Sequence, residues 1–306
     1  MKRAIIILAG IILAVILLGG AVYLLFPAGK PEIPEIKSIT NSWGNITADN
    51  SEIKTNIVVD NPNAIPIPLK GVEYEIFMND VKLGSGHSVG EASLPPHGEH
   101  TITLSTELEN DKIPQWWVTH IRRGENTDIK IKGNIVFDLK LAEYRYPIER
   151  TLSGVRTNIL GDKKSYHVDD TSLEPQVRSI ENSWGRVTAD HTEIRTKMVI
   201  YNPQPQPVPI YIERIKYEIY MNGIRMGSGL SEETILLKPR SDTEISLDTR
   251  LDNDKLDDWW VSHLRNGERT SVEIKTELVY KAAGKEFTIE LPVQKETMET
   301  DILGSG

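Results

Sequence analysis

The chain has 306 residues, with 35 Lys and Arg against 44 Asp and Glu, a net charge of -9. That balance argues against nucleic acid and against anionic lipid faces as partners, because phosphate recognition needs a surplus of cations. No cysteine is present, which excludes a disulfide scaffold, a thiol nucleophile, cysteine-bound zinc, an iron–sulfur cluster and a lipidated cysteine.

Residues 1–29 begin with Lys2 and Arg3 and then run uncharged and apolar from Ala4 to Phe26. At about 1.5 Å per residue this stretch exceeds a hydrocarbon core of about 30 Å. It is expected to be an uncleaved membrane anchor, since a cleaved leader has a shorter apolar run and a small-residue cleavage site. The two leading cations leave the amino terminus in the cytoplasm and everything after residue 29 outside it. Residues 30–35 contain Pro31 and Pro34 and form a stiff stalk.

The rest of the chain is written twice. KSITNSWGNITADNSEIKT at 37–55 returns as RSIENSWGRVTADHTEIRT at 178–196. YEIFMNDVKLGSG at 74–86 returns as YEIYMNGIRMGSG at 217–229, and the segment 109–125 returns at 252–268. A repeat this long is a duplicated domain, not a solenoid unit. The copies span 36–161 and 177–306, joined by a polar linker at 162–176.

Within each copy the apolar residues alternate. Ile53, Thr55, Ile57 and Val59 form one such series; Val72, Tyr74, Ile76 and Met78 a second; Ile102, Leu104, Thr106 and Leu108 a third; Ile129, Ile131, Ile135 and Phe137 a fourth. Copy two repeats the pattern around 245–251 and 272–280. A period of two marks half-buried strands, and about seven per copy predict a mainly β chain of two tandem antiparallel β-sandwiches of immunoglobulin or fibronectin III type. Ile113, Trp116, Trp117, His120 and Ile121 break the rule with helical spacing, so one short helix per copy is expected. Asp111 and Asp254 stand where its N-cap belongs, Gly124 and Gly267 where its C-terminal stop belongs.

Several motifs invite chemistry. Gly86-His87-Ser88-Val89-Gly90 satisfies the G-x-S-x-G pattern, but it comes after a hairpin in a β domain and copy two lacks the last glycine. His97 and His100 have two ligands' spacing without a third, and copy two has Arg240 and Thr243 there. His120 and His263 recur beside Trp-Trp; each is expected to be buried against a backbone carbonyl, with a pH sensor as the sharper alternative. The Asp of Thr47-Ala48-Asp49 and of Thr188-Ala189-Asp190 is expected to accept turn donors. Trp43, Trp116, Trp117, Trp184, Trp259 and Trp260 occupy matched places and are expected to plug the cores. Asn45-Ile46-Thr47 is the single glycosylation triplet. No nucleophile, acid–base pair or metal set recurs, so no enzyme, cofactor or metal is expected.

The ordered set Trp43, Asn61-Pro62-Asn63, a following Pro-x-Pro, Tyr74, Gly84 and Gly86 resembles late embryogenesis abundant proteins of type 2, the water stress and hypersensitive response (WHy) domain. Copy two matches with Trp184, Asn202-Pro203, Tyr217, Gly227 and Gly229, and departs at Gln204, where copy one has Asn63. The resemblance implies a folded seven-stranded sandwich with one helix, and a non-enzymatic role in desiccation or other water stress through contacts with client proteins. It also implies a second possibility, lipid or other hydrophobic-ligand binding inside the sandwich. Tandem copies behind one anchor resemble archaeal or bacterial members more than plant ones. The expectation is a single-pass, extracytoplasmic stress-protection or interaction protein.

Overall fold

The structure, a computed structural model, describes residues 32, 34–90, 92–140, 142–167, 175–204, 210–282, 284–290 and 293–303. The expected anchor at 4–26 and half of the stalk, residues 30, 31 and 33, lie outside them. Among the described residues no helix is long and apolar enough to cross a membrane. The chain divides into two units, residues 1–157 with 300–306, and residues 158–299.

The first unit holds β1 (Glu35–Ile46), β2 (Asn50–Asn61), β3 (Leu69–Met78), β4 (Val81–Val89), β5 (Gly98–Glu109), a 3-10 turn (Asn110–Lys112), α1 (Ile113–Arg122), β6 (Asn126–Asp138) and β7 (Glu143–Arg156). All strand pairs are antiparallel, in the order β1-β2-β5-β4-β3-β6-β7. The expectation of seven strands and one helix agrees with this. The hydrogen bonds, however, run unbroken through one sheet, not through two separate ones.

That sheet must curl. Ile57 and Val59 of β2 share one buried cluster with Ile131, Ile135 and Phe137 of β6. Three strands separate β2 from β6 in the order, about 19 Å at about 4.8 Å per step. Those positions are nearly sealed from water, Ile57, Val59 and Ile135 all at 0% exposure. A flat sheet leaves one such face wet, so the inner face is closed upon itself. The alternation predicted for β2, β3, β5 and β6 supplies that face residue by residue.

α1 buries Ile113, Trp117, His120 and Ile121 of the three-and-four series read from the sequence; Val118 is buried as well, and Trp116, the remaining member of the series, is only half-buried. Its start differs from expectation. The 3-10 turn precedes it, no side chain caps it, and the Asp111 carboxylate pairs with Lys112 at 2.7 Å instead. Its end agrees. Gly124 has φ +65° and its N–H donates to the Ile121 carbonyl at 3.0 Å, the left-handed stop that glycine adopts without a Cβ penalty.

The second unit repeats the plan with β8 (Lys164–Ser165), β9 (Gln176–Val187), β10 (His191–Asn202), β11 (Ile210–Met221), β12 (Ile224–Ser231), β13 (Ile235–Leu237), β14 (Ser241–Asp252), a 3-10 turn (Asn253–Lys255), α2 (Leu256–Arg265), β15 (Arg269–Ala282), β16 (Lys285–Glu290) and β17 (Gln294–Glu299). Its order is β16-β15-β11-β12-β14-β10-β9-β8, with β13 on β11 and β17 on β15. The two short strands β16 and β17 stand where the first unit has the single strand β7. The extra strand β8 pairs Lys164 with Ile180 and Ser165 with Ser179.

The tryptophan expectation needs correction. Trp117 and Trp260 are buried, at 6% and 8% exposure. Trp43, Trp116, Trp184 and Trp259 are half-buried. Trp43 and Trp184 lie on β1 and β9, whose inward residues are only partly covered, so neither plugs a core.

Candidate functional site

Three recurrent clusters hold the matched residues. In the first, Tyr74 of β3 lies across β4. Its neighbours in register are Gly86 on one side and Gly133 on the other. A Cβ at Gly86 would sit 2.3 Å from Tyr74 Cζ, so the glycine is a slot for the ring. The hydroxyl passes over it to Thr106 Oγ1 on β5 at 2.6 Å. Burial pushes the phenol's pKa up to about 12. Gly84 serves a different contact, since a Cβ there would meet the Glu107 carbonyl oxygen at 1.9 Å. Tyr217, Gly229 and Thr249 repeat the first arrangement at 2.7 Å, and Gly227 repeats the second against Arg250.

The second cluster closes the end of β2. Asn61, at 0% exposure, donates from Nδ2 to the carbonyls of Ile65 and Pro95 at 3.0 and 2.9 Å. Its Oδ1 accepts from the Asn63 backbone N–H and Nδ2. Asn63 in turn exchanges two bonds with the backbone of Glu32, at 2.9 and 2.8 Å. Pro62 sits between them with no N–H to place, as suits a strand's exit. In the second unit Asn202 donates to the Leu237 carbonyl at 3.2 Å and accepts from the Gln204 backbone at 3.2 Å. Asn202 and Pro203 therefore close β10 in the same way.

The third cluster lies behind α1. Trp116 Nε1 donates to Thr127 Oγ1 at 3.0 Å. The ring of His120 meets Thr127 through Nδ1 at 2.7 Å and Thr157 through Nε2 at 2.8 Å. Thr157 donates to Glu125 Oε2 at 2.7 Å. The Trp116 and His120 rings are 5.2 Å apart. The second unit places Trp259, His263 and Thr270 alike, with bonds of 3.0 and 2.8 Å. The expected carbonyl partner is thus a hydroxyl in both copies. Burial pushes both imidazoles below their ordinary pKa.

Other sequence candidates fall elsewhere. Ser88 lies within β4 and accepts the Val72 backbone N–H at 3.0 Å, not on an exposed elbow. His97 occupies a left-handed turn at φ 46° and His100 lies beyond it on β5. Among the described residues no three His, Cys, Asp or Glu gather as metal ligands. In the Thr47-Ala48-Asp49 turn the Thr47 hydroxyl, not Asp49, accepts the Asn50 N–H at 2.9 Å. Thr188 does the same for His191 at 3.1 Å.

Sequence reasoning missed the role of Asn110. It is 1% exposed, donates to the carbonyls of Thr47 and Ala48, and accepts the Ser51 hydroxyl at 2.8 Å. Asn253 repeats this with Thr188, Ala189 and Thr192. Thr106, Thr127 and Thr157 were missed too. Each recurs in the other copy, as Thr249, Thr270 and Thr300, and that recurrence was the available signal.

With the fold and its repeated clusters in place, comparison with known proteins is decisive at the family level. The profile of the late embryogenesis abundant protein family matches residues 56–151 and 197–295, and the chain belongs to that family, once in each copy. An uncharacterized protein of Methanocaldococcus jannaschii is 28% identical over 124 residues, 40% of this chain and 70% of that protein. A crystal structure of a protein from Archaeoglobus fulgidus shares 28% identity, covering 41% of this chain and 98% of that one with a TM-score of 0.37. A solution structure from Arabidopsis thaliana shares 15%, covering 42% and 83%, with a TM-score of 0.31.

Proposed function

We propose that the protein is a membrane-anchored, extracytoplasmic and non-enzymatic member of its family that protects or engages other macromolecules under water stress. The observation that carries this reading is the use made of the repeated polar residues. Tyr74, Asn61, Asn110 and His120 all spend their hydrogen bonds inside the fold, and so do their counterparts Tyr217, Asn202, Asn253 and His263. None of these is aimed at a substrate. Two antiparallel β bodies with charged outer faces then act through their surfaces. Lys82–Glu75, Lys130–Asp80 and Arg178–Asp242 are exposed pairs on those faces; such pairs add little stability and keep a surface wet. The test is survival of a labile enzyme through drying or freezing with residues 30–306 present. Protection beyond that from an equal mass of an inert protein is expected; equal recovery overturns the protective reading.

One observation favours a second reading, hydrophobic-ligand binding. Inner-face positions sealed in the first unit are half-open in the second. Ile57, Val59, Ile135 and Phe137 are buried, whereas their counterparts Met198, Ile200, Leu278 and Tyr280 are only partly covered. Phe287 stacks on Tyr280 at 5.2 Å and is 42% exposed. A cleft of 230 Å³ is walled by Tyr217 and Val293 together with Thr276 and the charged Lys216, Glu218, Lys275, Glu277 and Glu290, so charged side chains dominate its wall. Organic extraction of the purified protein separates the readings, since only a carrier yields near-stoichiometric lipid.

A further inference from the structure

The polar chain behind α1 has one consistent direction. The Thr157 hydroxyl gives its hydrogen to Glu125 Oε2 at 2.7 Å. Its oxygen must therefore accept from His120 Nε2, 2.8 Å away, which places the ring proton on Nε2. A neutral ring then has a bare Nδ1, which accepts the Thr127 hydroxyl at 2.7 Å. Thr127 Oγ1 accepts the Trp116 indole N–H at 3.0 Å. Every donor points from the indole toward the carboxylate, and each hydroxyl has spent its single hydrogen.

A second proton on the ring must enter at Nδ1, and it reverses one link. Thr127 Oγ1 then faces two N–H donors, Trp116 Nε1 and His120 Nδ1, and its own hydrogen loses its acceptor. Thr127 is 2% exposed and His120 1%, so bulk water does not replace that acceptor in the closed form. Leaving such a donor buried without a partner forfeits its hydration with nothing in return.

We propose that this chain is an acid-sensitive latch. It holds α1 and the chain exit at Thr157 against the sheet, and releases both when His120 becomes an imidazolium. Thr157 is part of the same piece, because its backbone N–H also donates to the Glu125 carbonyl at 3.1 Å. Burial lowers the ring's proton affinity from the ordinary value of 6.5, and the Glu125 carboxylate opposes that in part. Glu125 is the one charge acting on the ring, and several cations on the neighbouring elements are paired with other groups. Arg123 is turned to Asn79 and Asp128, Lys130 to Asp80, Lys112 to Asp111 and Lys82 of β4 to Glu75. In the second unit the Trp259–Thr270–His263 bonds recur, with burial and Glu268 opposing one another on His263.

The test is hydrogen exchange of the full chain in detergent from pH 7.5 to 5, corrected for intrinsic exchange. Below about pH 6.5 peptides covering 113–125 and Thr157 are expected to lose protection, about tenfold per pH unit for a one-proton opening. β2 and β5 are expected to keep theirs. Glu125→Gln removes a charge that favours the imidazolium in the closed form, so the onset, set by the opened ring, is expected to stay near pH 6.5 while the loss of protection between pH 7.5 and 5 is at least as large as in the wild type. His120→Gln is expected to abolish the transition in 113–125 and leave that of 256–268 in place. If the glutamine at 120 prevents folding, Glu125→Gln decides alone. Protection independent of pH, a loss spread evenly over all strands, or a Glu125→Gln loss between pH 7.5 and 5 smaller than the wild type's would each overturn the latch.

Discussion

The hydroxyl of Tyr74 reaches Thr106 across the bare backbone of Gly86. The ring spans from β3 to β5 over the intervening strand β4, in a slot that exists because residue 86 has no side chain. Tyr217 and Thr249 stand in the same relation across Gly229. One residue type at each of three strands makes the bond possible, and losing any one of them spoils it.

Tyr74→Phe is expected to destabilise the first unit by about 1–2 kcal/mol, because Thr106, 4% exposed, is left with a buried hydroxyl. Pairing it with Thr106→Val is expected to recover much of that loss. Gly86→Ala is expected to cost about 1–3 kcal/mol through overpacking against the ring, and less in a Tyr74→Leu background. Denaturant unfolding of these four variants together with the single Thr106→Val and Tyr74→Leu gives the couplings, and strict additivity would refute the bridge.

How far the sequence revealed this depends on the kind of interaction. Ile53, Ile57 and Val59 alternate, so their inward face was legible at once, as was the helical spacing from Ile113 to Ile121. Tyr74 and Gly86 were legible as a repeated motif, but their contact was not, because register across strands is a long-range property. Asp111 looked like a helix cap because local propensity favours it there; the 3-10 turn instead begins with Asn110, whose side chain closes a distant turn. Trp43 looked like a core plug by residue type, and its place on β1 with its partly covered face could not be read from type alone.

Asn61→Ala is expected to cost about 2–4 kcal/mol, since two carbonyls and the Asn63 backbone N–H lose partners in a site at 0% exposure. Asn63→Gln, which imitates the second copy, is expected to cost less and to loosen chiefly the tie to Glu32. Thermal unfolding ranks the two, and the reverse order would contradict the assignment.

Trp117→Ala is expected to cost about 3–5 kcal/mol as a core truncation. Trp43→Ala is expected to cost clearly less, because its ring is half-buried. Equal losses in denaturant midpoints would return Trp43 to the core.

Glu52 gives a second pH dependence, well below that of the histidines. Its carboxylate accepts the Asn45 backbone N–H and the Ser105 hydroxyl at 3.0 and 2.7 Å, which hold its pKa below the ordinary 4.5. The unfolded chain therefore binds the proton more readily. The stabilisation is present above about pH 4.5 and is lost as pH falls through the lower folded value. Glu52→Gln is expected to be modestly destabilising at pH 7, by about 1 kcal/mol for a half-buried, hydrogen-bonded carboxylate. The gap from wild type is expected to narrow as pH falls below 4.5, and a gap unchanged by acid would exclude the carboxylate as the cause.

The β11–β12 hairpin turns on Asn222-Gly223, with φ of 50° and 80°, where the first unit uses Asn79-Asp80. An Asn-Gly pair is the sequence at which the glycine nitrogen most readily attacks the asparagine amide, closing a succinimide and ageing the chain. Here that amide is occupied. It donates to Ser262 Oγ and the Arg269 carbonyl at 3.1 and 3.2 Å and accepts the Ser271 N–H at 2.9 Å. The carbonyl carbon cannot swing onto the Gly223 nitrogen until those bonds break. Isoaspartate accumulating at residue 222 in heated samples thus acts as a clock for local opening beside α2, and the first unit, with Asp80 in place of the glycine, keeps no such record.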